Sequence, residues 1–219
     1  MVQKRQDAER KRRGRPRAYD PETALHRAME AFWSAGYSGT SLDDIASATG
    51  MNRPSLYAAF GDKHDLYVKA LAHYWSQGFE AMREALAGKR PLREELMSVY
   101  DGSLSLYFSG EGPARGCFAI GTATTEAVLH PEIRAAFSGG LRILDKAFED
   151  RMRAAQVAGE LSPDADIETL AMVASSTLHT IAIRARMGTA RAELRRLARK
   201  AVGLICGFSL GRTSPSSTA

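Results

Sequence analysis

Arg53, Pro54 and Ser55 form one tripeptide, and their side chains could complement base edges in a DNA major groove. A guanidinium can donate two parallel hydrogen bonds to guanine N7 and O6, a hydroxyl can donate or accept, and a proline ring can press on a thymine methyl. A second concentration of chemistry lies near the start, where residues 1–17 hold eight Lys and Arg, among them Arg12, Arg13, Arg15 and Arg17, against two carboxylates. The whole chain carries +5, so the remainder is close to neutral. A basic arm on a neutral body suits a polyanion, because each neutralised phosphate releases counterions. The same composition fits a solubilising tail. Cys117 follows Arg115 and Gly116 just ahead of a predicted helix, where amide dipoles and a guanidinium favour the thiolate and reaction with electrophiles or oxidants. A small buried structural cysteine is the plainer alternative there.

Other chemistries lack their residues. The chain has no Gly-rich phosphate loop with Lys, no Gly-x-Ser-x-Gly turn and no His-Glu-x-x-His pair, so no enzyme is expected. Cys117 and Cys206 stand far apart, without Cys or His neighbours at zinc-site spacing. No metal, cofactor or disulfide is expected. With 44% hydrophobic and 25% charged residues the composition is that of a soluble globular protein, and no apolar stretch is long enough to span a bilayer. A cytoplasmic location is the expectation.

The elements that must hold these groups read as all-α. From Asp20 onward apolar residues recur at helical spacing, and no segment alternates with period two for long. Asp20 caps a first helix that has Pro21 at its first position, buries Leu25, Ala28, Met29 and Phe32, and stops at Gly36. Ser41 opens a short second helix through a capping box with Asp44, and Gly50 closes it. Asn52 caps a third, Arg53 to Phe60, with Leu56 and Phe60 turned inward. Two short helices around a Gly turn make a helix-turn-helix, whose second helix enters the major groove. A long fourth helix follows from Lys63 to Ala87, then further helices over about residues 92–108, 118–128, 131–157, 167–187 and 190–208. The link at 110–116 is rich in Gly and Pro, and Gly139-Gly140 is a candidate break. The domain plan is an arm (1–18), a DNA-binding head (19–75), a helical body (76–210) and a disordered tail (211–219).

The stretch Gly36 to Ala46, GYSGTSLDDIA, with Thr49 to Lys63, TGMNRPSLYAAFGDK, closely resembles the DNA-binding domain of the TetR/AcrR family. The likeness covers about Tyr19 to Tyr74, and the Gly14-Arg15-Pro16-Arg17 arm is similar to that of many members. The resemblance implies a three-helix helix-turn-helix head, a helical bundle body that dimerises and binds a small effector, and operator DNA as partner. It puts Arg53, Pro54 and Ser55 at the base-reading start of the recognition helix, and Thr40, Tyr57 and Lys63 at phosphates. Ser41 and Asn52, at the two helix starts, complete the candidate DNA-binding set. Ala58 and Ala59 leave the recognition helix few base-reading groups of its own. Residues 18–88 hold five Lys and Arg against nine carboxylates, so the arm is expected to supply much of the affinity along the minor groove. A non-specific DNA-binding protein is the alternative.

For the effector, an apolar cavity between helices is the usual site. Candidate wall residues are Tyr100, Leu104, Tyr107, Phe108, Cys117, Phe118, Thr122, Met172 and His179, each of which also suits ordinary core. For the homodimer, Leu170, Ala171, Ala174, Leu178 and Ile181 are expected to meet Leu194, Leu197, Ala201, Val202 and Ile205 in a four-helix interface.

Overall fold

The computed structural model describes residues 19–110 and 112–207; the arm arginines Arg12, Arg13, Arg15 and Arg17 and the tail 211–219 lie outside them. Among the described residues the regular elements are helices: α1 (Pro21–Gly39), α2 (Leu42–Thr49), α3 (Arg53–Phe60), α4 (Lys63–Ala85) and α5 (Leu92–Tyr107), a π-helical turn (Ala119–Ala123), then α6 (Thr124–Leu129), α7 (Pro131–Val157), α8 (Ile167–Arg186) and α9 (Arg191–Ile205). No helix among these residues is long and apolar enough to cross a membrane.

Local capping chemistry sets the first boundaries. The Asp20 carboxylate accepts the Thr23 amide at 2.8 Å, satisfying one of the donors a helix start leaves without a partner. α1 does not stop at Gly36; it breaks there, at φ 78°, and continues to Gly39. Glycine enters this left-handed region at little cost. The Gly36 carbonyl accepts the Thr40 hydroxyl at 2.6 Å. Phe32 and Trp33 of α1 are buried against α4, with Tyr67 edge-on to Phe32 at 5.1 Å and Tyr74 edge-on to Trp33 at 5.4 Å. Ile45, Leu56 and Phe60 close the head from α2 and α3.

α4 runs unbroken past residue 75, so head and body share one continuous helix, which ends at Ala85, two residues short of expectation. The Gly139-Gly140 pair does not split α7. Gly140 is buried against the Trp75 indole, and a Cβ there would overlap the ring. Glycine here serves close helix approach rather than a break. The helix expected over 118–128 is a π-helical turn followed by the short α6.

The expected dimer residues need correction. Ala171, Ala174, Leu178 and Ile181 of α8, with Leu194, Val202 and Ile205 of α9, are buried inside the subunit, where these helices pack on α5 and α7. Apolar side chains on the outer faces are instead Met172, Ile183, Met187 and Leu204.

Candidate DNA interface and effector cavity

The α2–α3 unit is built by side chains that reach back to their own backbone. Ser41 Oγ accepts the Asp44 amide at 3.1 Å while the Asp44 carboxylate accepts the Ser41 amide at 2.8 Å. Gly50 ends α2 at φ 70°, and Asn52 Oδ1 accepts the Ser55 amide at 2.9 Å to start α3. Leu56 and Phe60 turn inward, which aims the opposite face of α3 outward: Arg53, Pro54 and Tyr57 are exposed and Ser55 is half-buried. The side-chain oxygens of Ser41 and Asn52 are engaged as caps. Thr40 needs correction, being buried with its hydroxyl committed to Gly36, so that hydroxyl does not face a phosphate. The Lys63 ammonium lies 4.5 Å from the centre of the Tyr37 ring.

Asp43, on the first turn of α2, accepts from Arg53 through both oxygens, Nε at 2.8 Å and Nη2 at 2.5 Å. The bonded guanidinium holds the Asp43 carboxyl below the usual carboxylate range. This bidentate contact engages Nε and Nη2 of a guanidinium whose side chain stays exposed.

The head meets the body through polar contacts that sequence reading missed. Ser38 donates to Glu126 Oε1 at 2.8 Å, and His130 Nε2 lies 3.7 Å from Glu126 Oε2. Glu126 is buried. The Tyr67 and Thr122 hydroxyls share a hydrogen bond of 2.6 Å, and His64 lies 3.7 Å from Glu132. Burial raises the Tyr67 phenol well above its usual range, so it stays protonated.

A cavity of about 140 Å³ lies among α4, α5, α7 and α8. Of the expected wall residues, Tyr107, Cys117 and His179 line it. Leu104 and Phe118 are core, Tyr100 donates to the Ala174 carbonyl at 3.0 Å, and Thr122 is engaged with Tyr67. Phe108 does not reach the wall, and Met172 is 61% exposed on the far side of α8. The helical period left these faces ambiguous, and packing against α9 settles them. Sequence reading missed Trp75, Phe79 and Met82 of α4, which share the wall with Leu144 and Leu178.

Cys117 is buried. Burial pushes its thiol up, and Tyr74 donates to its Sγ at 3.1 Å. Arg115 turns away, stacking 4.2 Å over Trp33 and pairing with Glu30. The Arg115 guanidinium is thus engaged away from the thiol.

Residues 24–70, which hold the helix-turn-helix, match the bacterial regulatory proteins of the tetR family, and residues 93–201 match the tetracyclin repressor-like C-terminal domain. The chain belongs to the TetR family. It is similar to the HTH-type transcriptional repressor ComR of Escherichia coli, 30% identical over 190 residues that cover 86% of this chain and 90% of ComR. It is 33% identical over 159 residues to the HTH-type transcriptional regulator YezE of Bacillus subtilis, covering 72% of this chain and 81% of YezE. Among solved structures, the TetR regulator CifR, a cysteine mutant complexed with 26bp operator DNA, superposes with a TM-score of 0.74 at 36% identity, over 86% of this chain and 98% of CifR. In this TetR-family chain the head's own packing leaves one edge of α3 exposed.

Proposed function

We propose that this chain is a homodimeric cytoplasmic repressor that holds double-stranded operator DNA through α3 and the basic arm, and leaves it when a small effector fills the body cavity. The observation that carries the reading is the division of α3, whose Leu56 and Phe60 pack the head while Arg53, Pro54 and Tyr57 face outward. The ComR repressor and the CifR operator complex support it. The outer apolar faces of α8 and α9, with Met172, Ile183 and Leu204, supply the dimer surface, and a two-fold axis there matches a palindromic operator. A chain that sediments as a monomer at micromolar concentration contradicts the dimer. Effector binding linked to release by about 1 to 3 kcal/mol weakens operator affinity roughly 5- to 150-fold.

The test is a footprint and salt-dependent titration on DNA flanking the protein's own gene. Arg53→Ala is expected to lose about 1 to 3 kcal/mol per half-site, at the guanine it reads, with little change on unrelated DNA. Equal weak binding to every fragment, unchanged by the mutation, sinks sequence-specific regulation. Asp43 acts as a buttress, steadying the fork so that its Nη1 end meets the base. Asp43→Ala is therefore expected to relax discrimination at that guanine while non-specific affinity rises, because a carboxylate near phosphates is gone. Sharper discrimination in Asp43→Ala shows that the carboxylate competes with DNA for Arg53 instead.

A second reading, a sensor of electrophiles or oxidants through Cys117, is favoured by the place of that residue on the cavity wall. Its raised thiol makes reaction depend on what the cavity admits. A Cys117→Ser protein that still releases operator on treatment with aldehyde or peroxide removes it.

A further inference from the structure

The wall of the body cavity restricts what can fill it. Its volume, about 140 Å³, is close to that of an apolar void of about 150 Å³ that takes up benzene. Long acyl chains and nucleotides are larger than this volume. Trp75, Phe79, Met82, Val99, Leu144 and Leu178 make it mainly apolar, and among the described residues no Lys, Arg, Asp or Glu lines it. Burial lowers the pKa of the His179 imidazole, which favours its neutral form. An ion placed there meets no opposite charge on the wall itself, Asp145 acting on His179 from behind it, and loses its hydration, a heavy penalty in an apolar site. The wall nevertheless keeps some hydrogen-bonding capacity unused. His179 Nε2 is a buried polar atom without a partner in the protein and His179 belongs to the wall, whereas Trp75 Nε1, also unpartnered, is seated against Gly140.

Resting on the effector reading above, we infer that the effector is a small uncharged molecule, about the size of a substituted six-membered ring, bearing one hydrogen-bonding oxygen. Its ring fills the aromatic end beside Trp75 and Phe79, and its oxygen pairs with the His179 imidazole. Charge excludes carboxylates of the same size, and volume excludes fatty acids and their thioesters.

Three probes separate these claims: acetophenone, benzoate of nearly the same shape, and palmitate. Each is titrated calorimetrically into the full chain at pH 7.5, with operator affinity followed in parallel. Acetophenone is expected to bind at least tenfold tighter than benzoate, with palmitate silent. Val99→Phe and Leu144→Phe, which fill the cavity from two different helices, are expected to weaken acetophenone at least tenfold in whichever variant keeps the wild-type melting transition, and His179→Leu to weaken it less. Benzoate or palmitate binding as tightly as acetophenone overturns the inference. So does acetophenone binding that survives the filled cavity, or no binding by any probe. Acetophenone that binds in the cavity but leaves operator affinity unchanged supports the ligand class and counts instead against the effector reading.

Discussion

Glu95→Ala is expected to cost about 3 to 5 kcal/mol of unfolding free energy, the scale for stripping one partner from a buried ion pair. Arg151 has a side chain only 5% exposed, and its Nε donates to Glu95 Oε2 at 2.5 Å while Nη2 donates to Glu160 Oε1 at 3.1 Å and to the Arg90 carbonyl at 3.1 Å. Glu95 Oε1 also accepts the Lys89 and Arg90 amides, at 2.9 and 3.2 Å. One truncation therefore leaves a buried guanidinium short of charge and two amides without an acceptor. In a chain of this size the loss lowers the melting temperature by about 10 °C. Glu95→Leu with Arg151→Met removes both charges and should recover part of that loss, since the two amides still lack their acceptor. Glu160 gives the same cluster a pH signature: the Leu92 amide and Arg151 hold its carboxyl below the usual glutamate value. A depressed folded value contributes stability present at neutral pH and lost as pH falls through the ordinary range near 4.5 and below. Glu160→Gln should flatten that acid limb. Urea titrations of these variants decide the matter, and a loss under about 1 kcal/mol for Glu95→Ala means that solvent screens the pair.

Glu126→Ala is expected to separate DNA binding from effector response. Ser38 and His130 both turn to this buried carboxylate, one from the end of α1 and the other from the loop before α7. Coupling between two sites requires contacts whose energies differ between the two conformations. These contacts join the end of α1 in the head to α6 and His130 in the body, whereas α3 and its caps do not touch them. Operator affinity without effector should change less than about threefold, while effector-driven release falls from the range of roughly 5- to 150-fold toward unity. Ser38→Ala, which removes one bond and keeps the carboxylate, should fall between. The measurement is an operator titration with and without saturating effector, and full release in Glu126→Ala sinks this route of communication.

How much of this could be read from residues alone depends on the reach of each interaction. Ser41, Gly50 and Asn52 announce the boundaries of α2 and α3 because capping bonds join residues at most three apart. The outward set on α3 follows from the inward one, since Leu56 and Phe60 fix its rotation. The body offers no such shortcut. Met172 and Leu178 are both apolar positions on α8, yet one faces outward and the other reaches the cavity, a difference set by α5, α7 and α9. Arg115 precedes Cys117 by two residues, but its guanidinium pairs with Glu30 on α1, so proximity in sequence misjudged the thiol. Ser38 and Glu126 form a bond across 88 positions that no local pattern signals.

The close seat of Trp75 on Gly140 has a mechanical corollary. Two helices in such contact cannot separate or slide there without breaking the packing, so the contact serves α4 as a fulcrum. From Trp75 to Lys63 is about 18 Å along the axis, and from Trp75 to Met82, on the cavity wall, about 10 Å. If α4 turns there as a rigid rod, a 1 Å push on Met82 by an occupant swings the Lys63 end by roughly 1.7 Å the opposite way, carrying α3 with it. The ratio of the two arms makes the DNA end the longer stroke, so a tight void far from the operator can change the spacing of two recognition helices.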